Sequence, residues 1–158
     1  MNIYKNFIDK NKADEIENYF LSGNFPWYYS ENTTTKINKS YMFHSFYEDN
    51  HVNSKDFDLI KPIVDKLKIK NILNIRANLC LRRPMKCKWH CDEFTINLKH
   101  KTAIYYVNTN NGATEFKNKK VKSVKNTMVV FDADERHRAM LQTNTEARMV
   151  INFNYEYI

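Results

Sequence analysis

The chain has 158 residues, 42% hydrophobic and 14% aromatic, with only two glycines and three prolines; that is enough apolar material for one core, and the wrong texture for a disordered, fibrous or low-complexity protein. A formal charge of +7 favours acidic partners in general, whether nucleic acid, phosphorylated compounds or anionic metabolites, but the lysines are scattered and cluster only at Lys117-Asn118-Lys119-Lys120, so a solvated basic surface is the plainer reading. No apolar run approaches the roughly 18 residues of a membrane span, Met1 to Asn6 lacks the apolar stretch of a secretory signal, and Cys80, Cys87 and Cys91 suit reduced thiols better than a disulfide framework; the expectation is a single cytoplasmic domain, residues 1–158.

From Lys12 to Leu21, Ile16, Tyr19 and Phe20 fall at helical spacing before Gly23, which predicts a short amphipathic helix. The aromatic and polar text from Asn24 to Asn53 predicts irregular structure with one or two strands. Ser54 is placed to cap a second helix over Lys55 to Leu67, with Phe57, Ile60, Ile63, Val64 and Leu67 on one stripe and Pro62 kinking it or breaking its start. After Lys70 the texture turns to short β-type runs: Ile72 to Leu81, Thr102 to Asn108, Ala113 to Phe116, Val121 to Val124, Thr127 to Phe131 and Ala147 to Tyr157. No βαβ alternation appears, so residues 71–158 read as a closed or two-sheet antiparallel barrel, with residues 1–70 as helical and irregular support outside it.

The strongest short pattern is Trp89-His90-Cys91-Asp92. In an extended segment, side chains two apart share a face, so His90 and Asp92 point together while Trp89 and Cys91 point away. One imidazole and one carboxylate, joined by a second histidine, leave three open positions on a ferrous ion. Among the other histidines, His44 and His51 precede the β-region and His100 belongs to the connection after Asp92. That leaves His137, in the polar loop Asp132 to Arg138 after an apolar strand. Taken alone, a His-x-Asp pair is equally well a surface pair on an edge strand.

Arg148 heads the terminal strand, where alternation groups Arg148, Val150, Asn152 and Asn154 on one face and Met149, Ile151, Phe153 and Tyr155 on the other. Its guanidinium is a fixed fork of donors that matches a carboxylate bidentately; the plain alternative is an arginine paired with Glu146. In Ala103 to Asn108, Tyr106 shares a face with Ile104 and Asn108 and can aim its hydroxyl at the same carboxylate, or both Tyr105 and Tyr106 are core aromatics. Arg136 and Arg138 make the His137 loop basic, facing an anionic substrate or, more plainly, pairing with Asp132, Asp134 and Glu135.

The order His90-x-Asp92, Tyr105-Tyr106-Val107-Asn108, Asn111-Gly112-Ala113-Thr114-Glu115-Phe116, His137 and Arg148 resembles the iron(II)- and 2-oxoglutarate-dependent dioxygenases, in particular the prolyl-4-hydroxylase-like branch with its small phage and marine-microbe members. The resemblance runs from about Asn74 to Tyr155. It implies a mainly β fold, the double-stranded β-helix or jelly-roll (cupin-like) barrel with N-terminal helices against one sheet. It also implies Fe(II) bound by His90, Asp92 and His137, 2-oxoglutarate held by Arg148 and Tyr106, Asn152 lining the co-substrate pocket, O2 as oxidant, and ascorbate as an optional reductant. The implied activity hydroxylates a peptidyl prolyl or small-molecule substrate and releases succinate and CO2. Two features depart from the family pattern: Cys80 stands where many relatives have a co-substrate tyrosine, and Gly112-Ala113 replaces a glycine pair. Two other readings stay open. One is oxidative nucleic-acid demethylation, for which relatives carry a second arginine where this chain has Asn154. The other is a non-catalytic or zinc-filled barrel, with Cys87, His90 and Cys91 as the cramped ligand set.

Overall fold

A computed structural model describes residues 1–30, 41–92 and 100–158. In chain order its elements are β1 (Asn2–Lys5), α1 (Lys10–Leu21), β2 (Tyr28–Ser30), β3 (Tyr41–Glu48), β4 (His51–Val52), α2 (Phe57–Val64), β5 (Ile69–Leu81), β6 (His100–Tyr106), β7 (Ala113–Phe116), β8 (Lys120–Lys122), β9 (Thr127–Asp132), β10 (His137–Met140) and β11 (Ala147–Tyr157). The large antiparallel sheet runs β1-β9-β6-β11-β5-β3-β2, with β4 paired to β3, and a smaller sheet runs β10-β7-β8. This is the expected jelly roll: Ile104, Tyr106, Val129, Phe131 and Val150 of the large sheet meet Phe116 and Val121 of the small one in the space between them.

The opposite face of the large sheet carries the main core. Ile75 and Ala77, Ala103 and Tyr105, and Met149, Ile151, Phe153 and Tyr155 pack against Ile16 and Phe20 of α1 and Ile60 and Ile63 of α2. Strand alternation therefore sorts each central strand, one set of side chains under the helices and the other between the sheets.

Both helices form where expected, with different ends. α1 begins at Lys10, because the Asp9 side chain accepts from Asn11 N and Lys12 N as its cap. α2 is shorter than its apolar stripe, and Ser54 does not cap it. The Ser54 hydroxyl accepts from Asp56 N in the preceding turn, the first helical residue is Phe57, and Pro62 lies inside the helix. The stretch read as irregular from Asn24 to Asn53 contains β2, β3 and β4, with positions 31–40 outside the described residues. β1 and β10 escaped the sequence reading. The first is four exposed residues paired with β9, and the second begins at His137 and pairs with β7. His137 is thus a strand residue, not a loop residue. His100 likewise opens β6 instead of continuing a connection.

A candidate metal and co-substrate site

His90 and His137 face each other across an isolated antiparallel bridge, each backbone N–H donating to the other's carbonyl at 3.0 and 2.9 Å. The Asp92 N–H donates to Ala133 O at 3.1 Å, which ties the second ligand segment to the loop before β10. These backbone bonds fix three side chains from two distant segments: Asp92 Oδ1 lies 3.6 Å from His90 Nε2 and 3.7 Å from His137 Nε2. The donor atoms of the three lie within 4.8 Å of one another, and among the described residues they form the one convergent group of metal-ligating side chains. The alternative set Cys87, His90 and Cys91 is not brought together, and none of the three cysteines forms a disulfide among the described residues.

The surroundings prepare each donor. His90 Nδ1 lies 3.2 Å from Lys88 O, and His137 Nδ1 lies 3.0 Å from Glu135 O. A carbonyl can only accept, so both Nδ1 atoms carry a proton and both Nε2 atoms are turned toward Asp92. His137 is buried between Phe116 and Phe131, and that burial holds its imidazole below the usual histidine range, in the neutral form that ligates metals. On the carboxylate, Oδ2 accepts from the Thr102 hydroxyl at 3.0 Å, leaving Oδ1 toward the imidazoles. The same hydroxyl lies 3.0 Å from the Asn154 amide, which completes it as donor when its N and O are exchanged.

His90, Asp92, His137 and Asn154 line a cavity of about 1020 Å3 that also holds Arg148, Val150, Asn152 and Ile104. Arg148 is 3% exposed. Its Nε donates to Ser123 Oγ at 2.9 Å and its Nη2 reaches Thr114 Oγ1 at 3.4 Å, while the guanidinium lies over the Tyr106 ring. Among the described residues no carboxylate pairs with it; Glu146 pairs with Arg82 instead. A buried cation satisfied only by hydroxyls is an incomplete site for an anion. Tyr106 is fully buried. Its phenol, pushed up by burial, donates to Thr114 Oγ1 at 2.8 Å, so Thr114 accepts twice and keeps its own proton free to point into the cavity it lines. Tyr105 faces the main core and donates to Asn126 Oδ1. Asn152 lines the cavity with its Oδ1 buried and unpartnered among the described residues.

The sequence reading passed over Thr114, Ser123 and Thr102, whose roles arise only when the two sheets and the ligand loop close around one space. It also understated Gly112. A Cβ there would sit 2.9 Å from Arg148 Cδ, 2.9 Å from Met140 O and 2.7 Å from Asn110 Oδ1, so glycine makes the room in which the arginine lies. Arg138 pairs with Glu115 at 2.8 Å and stacks on Trp89, not with the acids of its own loop. Arg136 is exposed and lines the cavity. His44 is held by Pro26 O and Ser54 and takes no part in the site.

The family model for the 2OG-Fe(II) oxygenase superfamily matches residues 77–156 of this sequence. In backbone the chain is similar to a prolyl-4-hydroxylase from Pseudomonas putida, with a TM-score of 0.66 and 13% identity over 99% of this chain and 92% of that one. It is similar also to a prolyl hydroxylase from Trichoplax adhaerens, solved with a hypoxia inducible factor peptide fragment, with a TM-score of 0.70 and 12% identity over 98% and 83% of the two chains. A third similar structure is SnoN, a non-heme alpha-ketoglutarate-dependent epimerase from nogalamycin biosynthesis, with a TM-score of 0.70 and 10% identity over 98% and 77%. No curated protein matches the sequence. Among the described residues, no helix is long and apolar enough to cross a membrane.

Proposed function

The chain belongs to the 2OG-Fe(II) oxygenase superfamily and is a 2-oxoglutarate-dependent dioxygenase that uses Fe(II), 2-oxoglutarate and O2; on that premise we propose that His90, Asp92 and His137 hold the iron and that Arg148 binds the co-substrate. One observation carries the reading. Two imidazoles and a carboxylate converge in the same cavity that contains a buried arginine with no carboxylate partner among the described residues. When bound, the iron supplies open coordination positions for 2-oxoglutarate and dioxygen, and with them the oxidising power that turns a substrate C–H into C–OH as succinate and CO2 are released.

The protein's part is placement. The Lys88 and Glu135 carbonyls fix the tautomers of His90 and His137, and Thr102 fixes the rotation of Asp92, so the three donors are oriented before metal arrives. Arg148 takes the distal carboxylate of 2-oxoglutarate as a fork, with Thr114 donating a further hydrogen bond and Tyr106 acting through Thr114. Val150 and Ile104 cover the methylene chain, while Asn152 offers its amide to the keto-acid end. The product of this machinery is a hydroxylated peptidyl prolyl residue or small molecule.

Anaerobic addition of Fe(II) and 2-oxoglutarate should produce a weak visible charge-transfer band. His137→Ala and Arg148→Ala are both expected to lose it while remaining folded. Intact, folded protein that shows no band and releases no succinate in air would end the reading.

A further inference from the structure

Two parts of the cavity remain once the iron ligands and the co-substrate strip on β11 are assigned. The first is the wall that β5 adds beside that strip. Asn74, Arg76 and Asn78 face the cavity, with Arg76 opposite Asn152 and Asn78 opposite Val150 in the strand register. Arg76 Nε and Asn78 Oδ1 are buried and have no hydrogen-bond partner among the described residues. The rest of the Arg76 guanidinium is held in place: Nη2 reaches Glu48 at 3.1 Å, and the group lies 4.9 Å over the Phe43 ring. Both atoms are sealed from the cavity in this conformation, so what the wall offers a bound molecule is the exposed part of the Arg76 guanidinium and the amides of Asn74 and Asn78.

The second part is charge. Among the described residues lining the cavity, Arg76, Arg83, Lys88, Arg136 and Arg148 are basic, and Asp92, whose carboxylate faces two imidazoles, is the one acid. Arg148 serves the co-substrate in the reading above, Arg76 has Glu48, and Arg83 is already engaged. Lys88 and Arg136 are left. They precede His90 by two residues and His137 by one, both are exposed, and neither pairs with a carboxylate among the described residues. Two cations with no carboxylate partner among the described residues, beside the metal ligands at the edge of the cavity, attract and orient an anion.

Resting on the iron and 2-oxoglutarate reading of this site, we propose that the prime substrate is a small polar anion, its carboxylate or phosphate taken by Lys88 and Arg136 and its hydrogen-bonding body laid on Arg76 and Asn78. A prolyl ring in an uncharged peptide gives the two rim cations no charge to meet.

The test uses the whole protein loaded with Mn(II) and N-oxalylglycine, which occupy the metal and co-substrate positions without turnover. Inorganic phosphate and acetate are titrated separately by calorimetry at low ionic strength, with acetamide as the neutral counterpart. At least one anion should bind more tightly than acetamide, and the double variant Lys88→Gln/Arg136→Gln should weaken that binding roughly fivefold or more. Both positions are exposed, so an unchanged melting temperature is expected and confirms the fold. Preference for phosphate points to a phosphorylated substrate and preference for acetate to a carboxylated one. The control Lys119→Gln/Lys120→Gln removes two lysines from the separate surface groove and should leave anion binding as it was. The proposal is overturned if neither anion outbinds acetamide, or if the two double variants weaken binding equally. Failure of the underlying reading looks different: the Fe(II) and 2-oxoglutarate band itself is then missing, whereas here it forms and the anions do not bind.

Discussion

The two faces of β11 divide the labour of the molecule. Met149, Ile151, Phe153 and Tyr155 are buried under the helices among aromatic and aliphatic neighbours. Arg148, Val150, Asn152 and Asn154, one residue out of phase, line the cavity and include a buried cation and an amide oxygen without a partner among the described residues. The first face is close-packed and satisfied, and its loss should be felt as stability. The second carries charge and open hydrogen-bonding groups that folding alone does not reward, so its loss should be felt as chemistry.

The sharpest way to break this division is at the metal ligands. Asp92→Ala should lower succinate release on the order of a thousandfold or more, since a direct ligand matters more than the hydrogen-bonding partners behind it, whose loss costs roughly 10- to 100-fold. The melting temperature should move little, because the side chain makes one hydrogen bond, from the Thr102 hydroxyl, and otherwise faces the two imidazoles. A variant that unfolds instead would place Asp92 in the scaffold. On the other face, Phe153→Ala removes a fully buried ring and should cost about 3–5 kcal/mol in urea unfolding. Below its unfolding midpoint the variant should keep its affinity for 2-oxoglutarate; a large loss of affinity at full folding would show that the two faces are not separable.

That division was legible in the sequence because a strand has a period of two. The register of Arg148 against Met149 needed only the alternation of polar and apolar residues, and the structure places both sets as read. The pair His90 and Asp92 was legible for the same reason. What escaped depends on partners far along the chain. β1 is a short polar segment that becomes a strand only because β9 offers an edge, and β10 exists because Phe116 and Ala113 of β7 pair with His137 and Met140. The hydroxyls of Ser123 and Thr114, 25 and 34 residues from Arg148, read as ordinary turn and strand residues until the second sheet folds over them. The Asp9 cap was different. Its signal, an aspartate just before an amphipathic run, stood in the sequence and was passed over in favour of a later start.

Arg148 allows a finer separation, because there the two kinds of loss should carry opposite signs. Replacing a buried ion that has no carboxylate partner among the described residues by an apolar side chain of similar length removes a desolvation penalty, so Arg148→Met should leave stability equal or raise it by about 1 kcal/mol. The same change removes the fork that receives the distal carboxylate, and 2-oxoglutarate binding should weaken roughly 100-fold, about 2.7 kcal/mol. Thermal melting and co-substrate titration on one sample check both halves. A variant that is destabilised as well would mean that Ser123 and Thr114 depend on the guanidinium more than the cavity does.

Gly112→Ala gives the smallest and most local of these effects, and it acts on Arg148 without touching its charge. The added methyl meets Arg148 Cδ and Met140 O at 2.9 Å and Asn110 Oδ1 at 2.7 Å, and of these the arginine stem and the asparagine amide are the parts free to yield. Asn110 is itself anchored, since its Oδ1 accepts from Gly112 N at 2.9 Å and its Nδ2 donates toward Asn108. The arginine should therefore move away from Ser123 and off the line it offers a carboxylate, and the turn itself must shift to clear the Met140 carbonyl, so a lower melting temperature should accompany the change. The Michaelis constant for 2-oxoglutarate is expected to rise about tenfold with turnover at saturation little changed, the pattern of lost ground-state binding. An unchanged constant would show that the guanidinium keeps its position by adjusting its stem, and that the glycine serves the turn alone.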